Sequence, residues 1–296
     1  MSDDRIERDI LIDASPEHVW SLVTQPGFWV AEEASLPGTV AREGETTLAR
    51  NASYGDYPVR VERLAPPSGV AYRWAPAYPG ADLTGDNSTL VEVTLVREGD
   101  KTRVTVVESG FATLPDEVRT RTREANTEGW PQVLQGLGER AERPREGDYS
   151  TAFVVDEGPD EVFGAVLDVR GWWTDDIEGA TEQVGDVFVF RHTDVHYSKI
   201  LVTEVVPGRR VTWLVLDTEL SFVEDTTEWI GTSITFEVTP TEAGTEVRFT
   251  HHGLVPEDEC YDACSTAWGF YLMYSMRSLI VTGAGMPALK ALPRPF

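Results

Sequence analysis

Residues 14–20 read Ala-Ser-Pro-Glu-His-Val-Trp, and residues 157–163, which lie 143 positions later, read Glu-Gly-Pro-Asp-Glu-Val-Phe. The same separation relates residues 101–111, Lys-Thr-Arg-Val-Thr-Val-Val-Glu-Ser-Gly-Phe, to residues 244–254, Gly-Thr-Glu-Val-Arg-Phe-Thr-His-His-Gly-Leu. Two unrelated segments would not keep matched beginnings and matched ends at an equal separation. The sequence therefore indicates that one domain has been duplicated in tandem.

The duplication sets the predicted domain boundaries. A first domain covers residues 1–142, a second covers residues 148–296, and the charged stretch 143–147, which contains Pro and Gly, joins them. A chain of 296 residues with 41% apolar content can bury two cores of ordinary size, because domains commonly contain about 100–150 residues.

The formal net charge of −25 is the outlier in the composition. It argues against a nucleic-acid partner, because phosphate binding requires clustered Lys and Arg, and an anionic membrane surface would repel the chain. No stretch approaches the roughly 20 apolar residues of a membrane span, and the polar, acidic start does not resemble a secretory signal. With only two cysteines, we expect a cytoplasmic protein. Its charge then serves solubility or, alternatively, steers a cationic ligand or a basic partner.

Each half has the same predicted order of elements: a strand, a short helix, an antiparallel meander and a longer closing helix. Pro16 and Pro159 occupy the first position of the short helices, where proline is favoured. The closing helix of the second half, at residues 266–282, ends at Gly283 and is the more regular of the two. That of the first half, at residues 115–140, contains glycines and a proline, so we expect it to bend or to end early.

This order of elements is that of the helix-grip fold, in which a curved sheet wraps around one long helix and leaves an apolar cavity between them. The opening motif at residues 14–20 resembles that of the SRPBCC superfamily (START and Bet v1-like proteins), and most of all the branch named after the activator of Hsp90 ATPase. Further matches to that branch lie at residues 64–74, 110–111, 129–130, 205–213 and 253–254. The resemblance implies an α+β fold of two tandem helix-grip (Bet v1-like) domains, each a curved antiparallel sheet wrapped around a long C-terminal helix.

The resemblance leaves the function open, since this superfamily contains lipid carriers, hormone receptors, aromatase/cyclases and co-chaperones. Our first hypothesis is a binding protein without a cofactor, which holds a small hydrophobic or aromatic molecule in its cavities. It could also have a stress or co-chaperone role, in which the sheet contacts a protein partner or a second copy of the chain. The alternative is a cyclase or aromatase of polyketide biosynthesis that uses polar cavity residues as acid and base. The sequence has no phosphate loop, nucleophile elbow or His-Glu-x-x-His helix, which argues against hydrolases and nucleotide-dependent enzymes.

Aromatic residues are the main candidates for ligand contacts, because each indole supplies a large apolar face and one N–H donor. The alternative is that they are ordinary core. The candidates are Trp20, Trp29, Trp74, Trp130, Trp172, Trp173, Trp213, Trp229, Phe249, Trp268, Tyr271 and Leu272. We do not expect adjacent residues after a helix both to face the core, so either Trp172 or Trp173 should lie at a cavity mouth or an interface.

The last strand of each half is predicted to point one ionisable side chain toward the cavity. In the second half Val247 and Phe249 mark the inward face, which ends in His251, and the same face of the first half ends in Glu108. An imidazole or carboxyl in an apolar pocket has a shifted pKa and could act as an acid or base. The alternative is a hydrogen-bonded polar group at the partly wet end of the sheet.

A second group of candidates surrounds Asp194. On an extended strand His192, Asp194 and His196 would share one face, which could bind a metal ion. A pocket wall or a solvated loop is the simpler interpretation.

The two cysteines, Cys260 and Cys264, lie one turn apart if a helix begins near residue 257. Together with the neighbouring histidines 251 and 252 they suggest a zinc site, but their spacing matches no standard zinc finger. We predict reduced thiols and no metal.

The catalytic candidates, should the protein be an enzyme, are His251, Glu108, His192, His196 and Tyr271. The second half is the better candidate for a functional cavity, because it has four of the five histidines and the more regular predicted closing helix.

Overall fold

The computed structural model describes residues 4–31, 41–142 and 147–288. The chain separates into two compact units, Met1–Pro144 and Arg145–Phe296, called here the first and second unit. Of the predicted linker 143–147, only Gly147 belongs to the described residues.

Within its described residues the first unit consists of a six-stranded antiparallel sheet, two α-helices and a short 3-10 turn. The elements are β1 (Arg5–Ile12), α1 (Pro16–Val23), β2 (Thr46–Ala49), β3 (Tyr57–Ala65), β4 (Gly69–Trp74), β5 (Thr89–Glu98), β6 (Lys101–Ser109), the turn Phe111–Thr113 and α2 (Asp116–Ala141). The strand order is β1-β6-β5-β4-β3-β2. The sheet is thus a meander whose last strand pairs with the first.

The repeated opening motif begins α1 for local reasons. Ser15 Oγ accepts a hydrogen bond from His18 N at 3.2 Å, and Pro16 occupies the start of the helix. Glu17 is buried, and both of its carboxylate oxygens lie 3.0 Å from Arg97 Nη2 on β5. This ion pair fastens the short helix to the sheet.

The described part of the second unit has the same plan with one more strand. The elements are β7 (Tyr149–Val155), α3 (Pro159–Leu167), α4 (Val169–Trp172), β8 (Ile177–Gly179), β9 (Val187–His192), β10 (His196–Val206), β11 (Arg210–Leu220), β12 (Ser233–Thr241), β13 (Gly244–His252), α5 (Tyr261–Phe270), a π-helical segment (Tyr271–Met276) and α6 (Arg277–Thr282). The strand order is β7-β13-β12-β11-β10-β9-β8.

The duplication extends to individual hydrogen bonds. Thr102 Oγ1 donates to Ala14 O at 2.7 Å, and Thr245 Oγ1, which lies 143 positions later, donates to Glu157 O at 2.7 Å. Both bonds tie the start of the last strand to the chain just before the short helix. The predicted α+β fold of two tandem helix-grip domains is confirmed.

The two closing helices differ from the prediction. In the first unit α2 does not end early: it continues from Asp116 to Ala141 through Pro131. Its buried residues Trp130, Leu134 and Leu137 lie on one face, and α2 packs against β1. This packing outweighs the weak helix propensity of its glycines and proline.

In the second unit the helix is the less regular one, which reverses the prediction. It begins at Tyr261 rather than near residue 266 and contains the π-helical segment. Within that segment Ser275 Oγ donates to Trp172 O at 2.6 Å and accepts from Met286 N at 2.7 Å. The helix ends as predicted at Gly283, which has a φ of 75°.

Among the described residues, no helix combines the length and the apolar character needed to cross a membrane.

Candidate functional site

The second unit contains a pocket of about 290 Å³ between the β9–β10 hairpin and α5. Aromatic rings make up most of its wall, and the exposed side chains of Val195 and Phe222 lie at its edge. The lining residues are Trp173, Phe190, His192, Val195, His196, Phe222, Trp229, Ala263, Cys264, Ala267, Trp268 and Tyr271. The pocket is therefore a mainly apolar concavity with a small number of polar groups.

Ring contacts hold the pocket wall in place. Trp173 stacks on Phe190 with ring centroids 4.2 Å apart and planes 15° apart. It also contacts Trp268 at 4.9 Å, and Trp268 stacks on Trp229 at 5.9 Å. Since packed indoles have few alternative rotamers, the flat faces of this wall are preformed.

Contrary to the prediction that Trp172 and Trp173 do not both face the interior, both are buried, although Trp173 lines the pocket, as the sequence predicts for one of the two. Trp172 ends α4 and Trp173 follows it, and both are buried. The two rings stack 6.0 Å apart, and Trp172 meets Phe236 at 5.8 Å on the core side. A four-residue helix ends here, so the chain turns and both rings enter the same interior, with Trp173 reaching the pocket.

The imidazole of His196 is held in the pocket wall by two aromatic rings and one hydrogen bond. Its ring lies between Phe190, 4.8 Å away, and Trp229, 4.6 Å away, and it meets both rings nearly edge-on. Nε2 lies 2.8 Å from Ser198 Oγ. Burial is the main cause that lowers the pKa of His196 to about 3, and the nearby His192 is the second cause. The imidazole is therefore neutral near pH 7.

His192 and His196 do not lie along one strand, as the sequence suggested. They face each other as a cross-strand pair at the end of the β9–β10 hairpin, and Asp194 lies in the turn between them. Both histidines line the pocket, whereas Asp194 does not. The described residues contain no group of three His, Cys, Asp or Glu side chains placed to hold a metal ion.

Tyr271 lines the pocket from the first position of the π-helical segment. Burial raises the pKa of its hydroxyl above the ordinary value, so the group is neutral at physiological pH. Segments of π-helix are often found at functional sites. The next residue, Leu272, is fully buried in the core and does not reach the pocket.

His251 points inward, as strand parity predicted, but lies behind the pocket wall rather than in it. Trp268 Nε1 donates to His251 Nδ1 at 3.2 Å, and His251 Nε2 lies 2.9 Å from Thr232 Oγ1. Thr232 in turn donates to Trp229 O at 2.6 Å. Because Nδ1 accepts, Nε2 carries the proton, and burial lowers the pKa of His251 to about 3. The neutral ring is sealed, not partly wet.

The cysteines belong to the same region. Cys260 precedes α5 and accepts a hydrogen bond from Trp229 Nε1 at 3.3 Å, while Cys264 lines the pocket. Both are free thiols. The hydrogen bond between Cys260 and Cys264 and, next, burial raise the pKa of Cys260. Cys260 therefore stays a thiol at neutral pH.

Glu108 occupies the equivalent position in the first unit, 143 residues before His251, and it too is fully buried. Its oxygens accept hydrogen bonds from Trp74 Nε1 at 3.1 Å, Thr89 Oγ1 at 2.7 Å and Trp130 Nε1 at 2.8 Å. Asn126 Nδ2 lies 2.9 and 3.0 Å from the two oxygens. Burial raises the pKa of Glu108, although these bonds act in the opposite direction.

Three of the predicted ligand residues of the first unit, Trp29, Trp74 and Trp130, form an aromatic group beside this carboxyl group. Trp29 contacts Tyr72, Trp74 and Trp130, with ring centroids 5.3, 5.6 and 6.0 Å away. Trp20, by contrast, is a buried residue of α1. Of the three contacting indoles, Trp74 and Trp130 direct their N–H groups to Glu108.

The structure therefore divides the predicted site residues into three sets. Those that line the pocket are Trp173, His192, His196, Trp229, Trp268 and Tyr271. Those that form core or buried polar contacts in the second unit are Trp172, Trp213, Phe249, His251 and Leu272. Those of the first unit are Trp20, Trp29, Trp74, Glu108 and Trp130.

Several residues of these sites were not predicted. Phe190 lies on β9 two positions from the buried Phe188, and this alternation is the sequence signal that could have identified it. Thr89 and Thr232, the hydroxyl partners of the buried acid and imidazole, lie 143 positions apart. The repeat could have identified them. Ala267, on α5, has no comparable sequence signal.

Both halves of the chain are similar to one known protein family. The chain matches the model of the family described as Activator of Hsp90 ATPase homolog 1-like protein over residues 13–142 and again over residues 158–280. No curated protein sequence matches it.

Three solved structures illustrate the likeness. The Aha1 dimer from Colwellia psychrerythraea is 26% identical over 47% of this chain and 100% of its own, with a TM-score of 0.39. DynU16, from the dynemicin biosynthetic locus, is 16% identical over 90% of this chain and 94% of its own, with a TM-score of 0.37. The di-domain ARO/CYC BexL from the BE-7585A biosynthetic pathway is 15% identical over 83% of both chains, with a TM-score of 0.36.

One segment matched by the family model lies in each unit of the fold, and together the segments cover most of the sequence. The chain therefore belongs to the family of Activator of Hsp90 ATPase homolog 1-like proteins.

Proposed function

We propose that the second unit is a binding module for a small aromatic or otherwise hydrophobic molecule. The pocket at the β9–β10 hairpin carries this proposal, because it has a volume of about 290 Å³ and is walled by Trp173, Trp229 and Trp268. Ligand sites are typically concave and mostly apolar, with volumes of about 300–1,000 Å³ and a few oriented polar groups. The volume of the pocket is just below this range, which favours a small ligand of one or two rings.

The buried polar centres favour binding over proton-transfer catalysis. Glu108 and His251 were the leading acid–base candidates, but the hydrogen bonds of both are taken by neighbouring side chains. Neither group is part of the pocket wall. A general acid or base must come within hydrogen-bond distance of the proton that it transfers, so these two groups support structure rather than the chemistry of a cyclase.

Two measurements on the full chain test the proposal. Native mass spectrometry of gently purified protein should detect a retained small molecule. Thermal unfolding with naphthalene and indole as probes should show a rise in the Tm of the second unit. A ligand at 100 times its Kd stabilises the folded state by about 2.7 kcal/mol.

A pair of variants on α5 localises the effect. Ala267 is exposed and lines the pocket, so Ala267→Phe should fill its opening and abolish the ligand-dependent rise in Tm. Thr266→Phe is the matched control, because Thr266 is an exposed neighbour that does not line the pocket. Absence of a retained molecule together with an unchanged Tm for both probes would refute the proposal, as would equal effects of the two variants.

A further inference from the structure

The polar groups behind His196 fix which of its ring nitrogens carries the proton. Thr218 Oγ1 donates to Tyr197 O at 2.7 Å, and its single proton is thereby used. Ser198 Oγ lies 2.8 Å from Thr218 Oγ1, so Ser198 donates to Thr218. Ser198 must then accept from His196, whose Nε2 lies 2.8 Å away. The chain of donors thus ends at a backbone carbonyl and begins at His196 Nε2–H.

The other ring nitrogen, Nδ1, consequently has a lone pair. Within residues 4–31, 41–142 and 147–288 no donor lies within hydrogen-bond distance of His196 Nδ1, and this atom is not among those sealed from solvent. Phe190 and Trp229 flank the ring and fix its orientation at the pocket wall. A ligand that covers this acceptor without supplying a donor would leave it unsatisfied, so the wall favours a ligand that brings a donor.

Charge gives a second criterion. The wall has no Lys or Arg side chain, and His196 is neutral near pH 7 because burial lowers its pKa. The chain as a whole has a net charge of −25. No Lys or Arg of the wall would balance the charge of an anionic aromatic molecule, which would also lose its hydration on entry.

We propose that His196 determines the specificity of the pocket by accepting a hydrogen bond at Nδ1, so that the ligand is an uncharged aromatic molecule with an O–H or N–H donor, such as a phenol. This inference rests on the proposed function, since it assumes that the pocket binds aromatics. Ser198 and Thr218 act as positioning residues, because they hold the imidazole in the tautomer that presents the lone pair.

Three probes of similar shape test the inference by isothermal titration calorimetry on the full chain: 2-naphthol, 2-methoxynaphthalene and 2-naphthoate. We expect 2-naphthol to bind about 3- to 10-fold more tightly than 2-methoxynaphthalene, as one net hydrogen bond predicts. We expect 2-naphthoate to bind most weakly. In His196→Phe the naphthol and its methyl ether should bind equally.

Ser198→Ala provides a second variant that leaves the aromatic wall intact. It removes the acceptor of Nε2–H, so both tautomers become accessible and the preference for 2-naphthol should shrink toward 1. Ser265→Ala, at an outer position of α5, is the matched control and should retain the preference.

Each outcome decides the question. A preference for 2-naphthol that both pocket variants lose supports the inference. Equal binding of 2-naphthol and 2-methoxynaphthalene to the wild type overturns it but leaves the proposed function intact. Tighter binding of the ether or of 2-naphthoate shows that Nδ1 is protonated and also overturns it. If no probe binds, the proposed function fails, and the inference fails with it.

Discussion

The buried groups at Glu108 and His251 allow one perturbation to be made twice in the same chain. Leucine has a similar volume to either side chain but no polar atom. Glu108→Leu leaves the indole N–H groups of Trp74 and Trp130 and the amide of Asn126 without their acceptor. The two indole N–H groups are then buried without a partner, whereas the amide of Asn126 lies at a partly buried position.

His251→Leu leaves a single such donor. Trp268 Nε1 loses its acceptor, whereas Thr232 keeps its bond to Trp229 O. An unsatisfied buried donor costs about 1–3 kcal/mol, which sets the expected loss for His251→Leu.

The loss for Glu108→Leu follows from two opposing terms. The two buried indole N–H groups that lose their acceptor cost about 1–3 kcal/mol each, and removal of the buried carboxylate offsets part of this sum by relieving its desolvation. We therefore expect Glu108→Leu to destabilise its unit by about 2–4 kcal/mol, more than His251→Leu destabilises the other.

Hydrogen exchange measured by mass spectrometry on the full chain reports each unit through its own peptides. Peptides from β6 and α2 should lose protection in Glu108→Leu, and peptides from β13 and α5 should lose protection in His251→Leu. Glu92→Leu, at a half-exposed position of β5, should change the exchange free energies by less than about 0.5 kcal/mol. Unchanged protection in Glu108→Leu would show that desolvation of the carboxylate outweighs its hydrogen bonds. A larger loss in His251→Leu would refute the donor count.

Three further expectations follow from the same contacts. Arg97→Met removes the ion pair of the buried Glu17 and should destabilise the first unit by about 3 kcal/mol in urea unfolding. A loss below about 0.5 kcal/mol would contradict the role of this ion pair in holding α1 on the sheet. Thr232→Val removes the acceptor of His251 Nε2–H and should destabilise the second unit by about 1–3 kcal/mol, whereas the exposed Thr239→Val should not. Because burial lowers the pKa of His251 from 6.5 to about 3, the unfolded chain takes up the proton first. The stability contributed by the neutral ring is therefore complete above pH 6.5 and falls by up to about 1.4 kcal/mol per pH unit as the pH drops toward 3. Urea unfolding measured from pH 7 to pH 5 should show this fall in the free energy of unfolding for the wild type and a smaller fall for His251→Leu. Equal falls in the two proteins would contradict the prediction.

Much of the fold could be predicted because it depends on local patterns. Strand parity placed Val247, Phe249 and His251 on the inward face, where all three are buried. The stop at Gly283 needed only the left-handed conformation that glycine allows. The helix interiors were harder, since their continuity depends on tertiary contacts. Glycine and proline predicted that α2 bends or ends early, yet the helix continues to Ala141 and packs against β1.

The candidate site was predictable only in part. The indoles that line the pocket were candidates because of their chemistry, yet chemistry does not distinguish Trp173 in the wall from Trp213 in the core. The interior role of His251 followed from its strand position, but the neighbours that seal it, Trp268 and Thr232, come from a helix and a different strand. Contacts between distant elements leave little trace in one sequence.

The duplicated position also limits how the two copies can evolve. In the first unit an acceptor-only group satisfies Trp74, Trp130 and Asn126, whereas in the second His251 must accept at one atom and donate at another. Exchanging the two residues alone would place an imidazole N–H opposite the donors of the first unit. It would also bury a carboxylate behind the pocket wall of the second unit. Each single step is therefore unfavourable without changes in the neighbours. Recombination between the halves keeps these hydrogen bonds only where the last strand is inherited together with the elements that supply its partners, so the two copies cannot exchange this position independently.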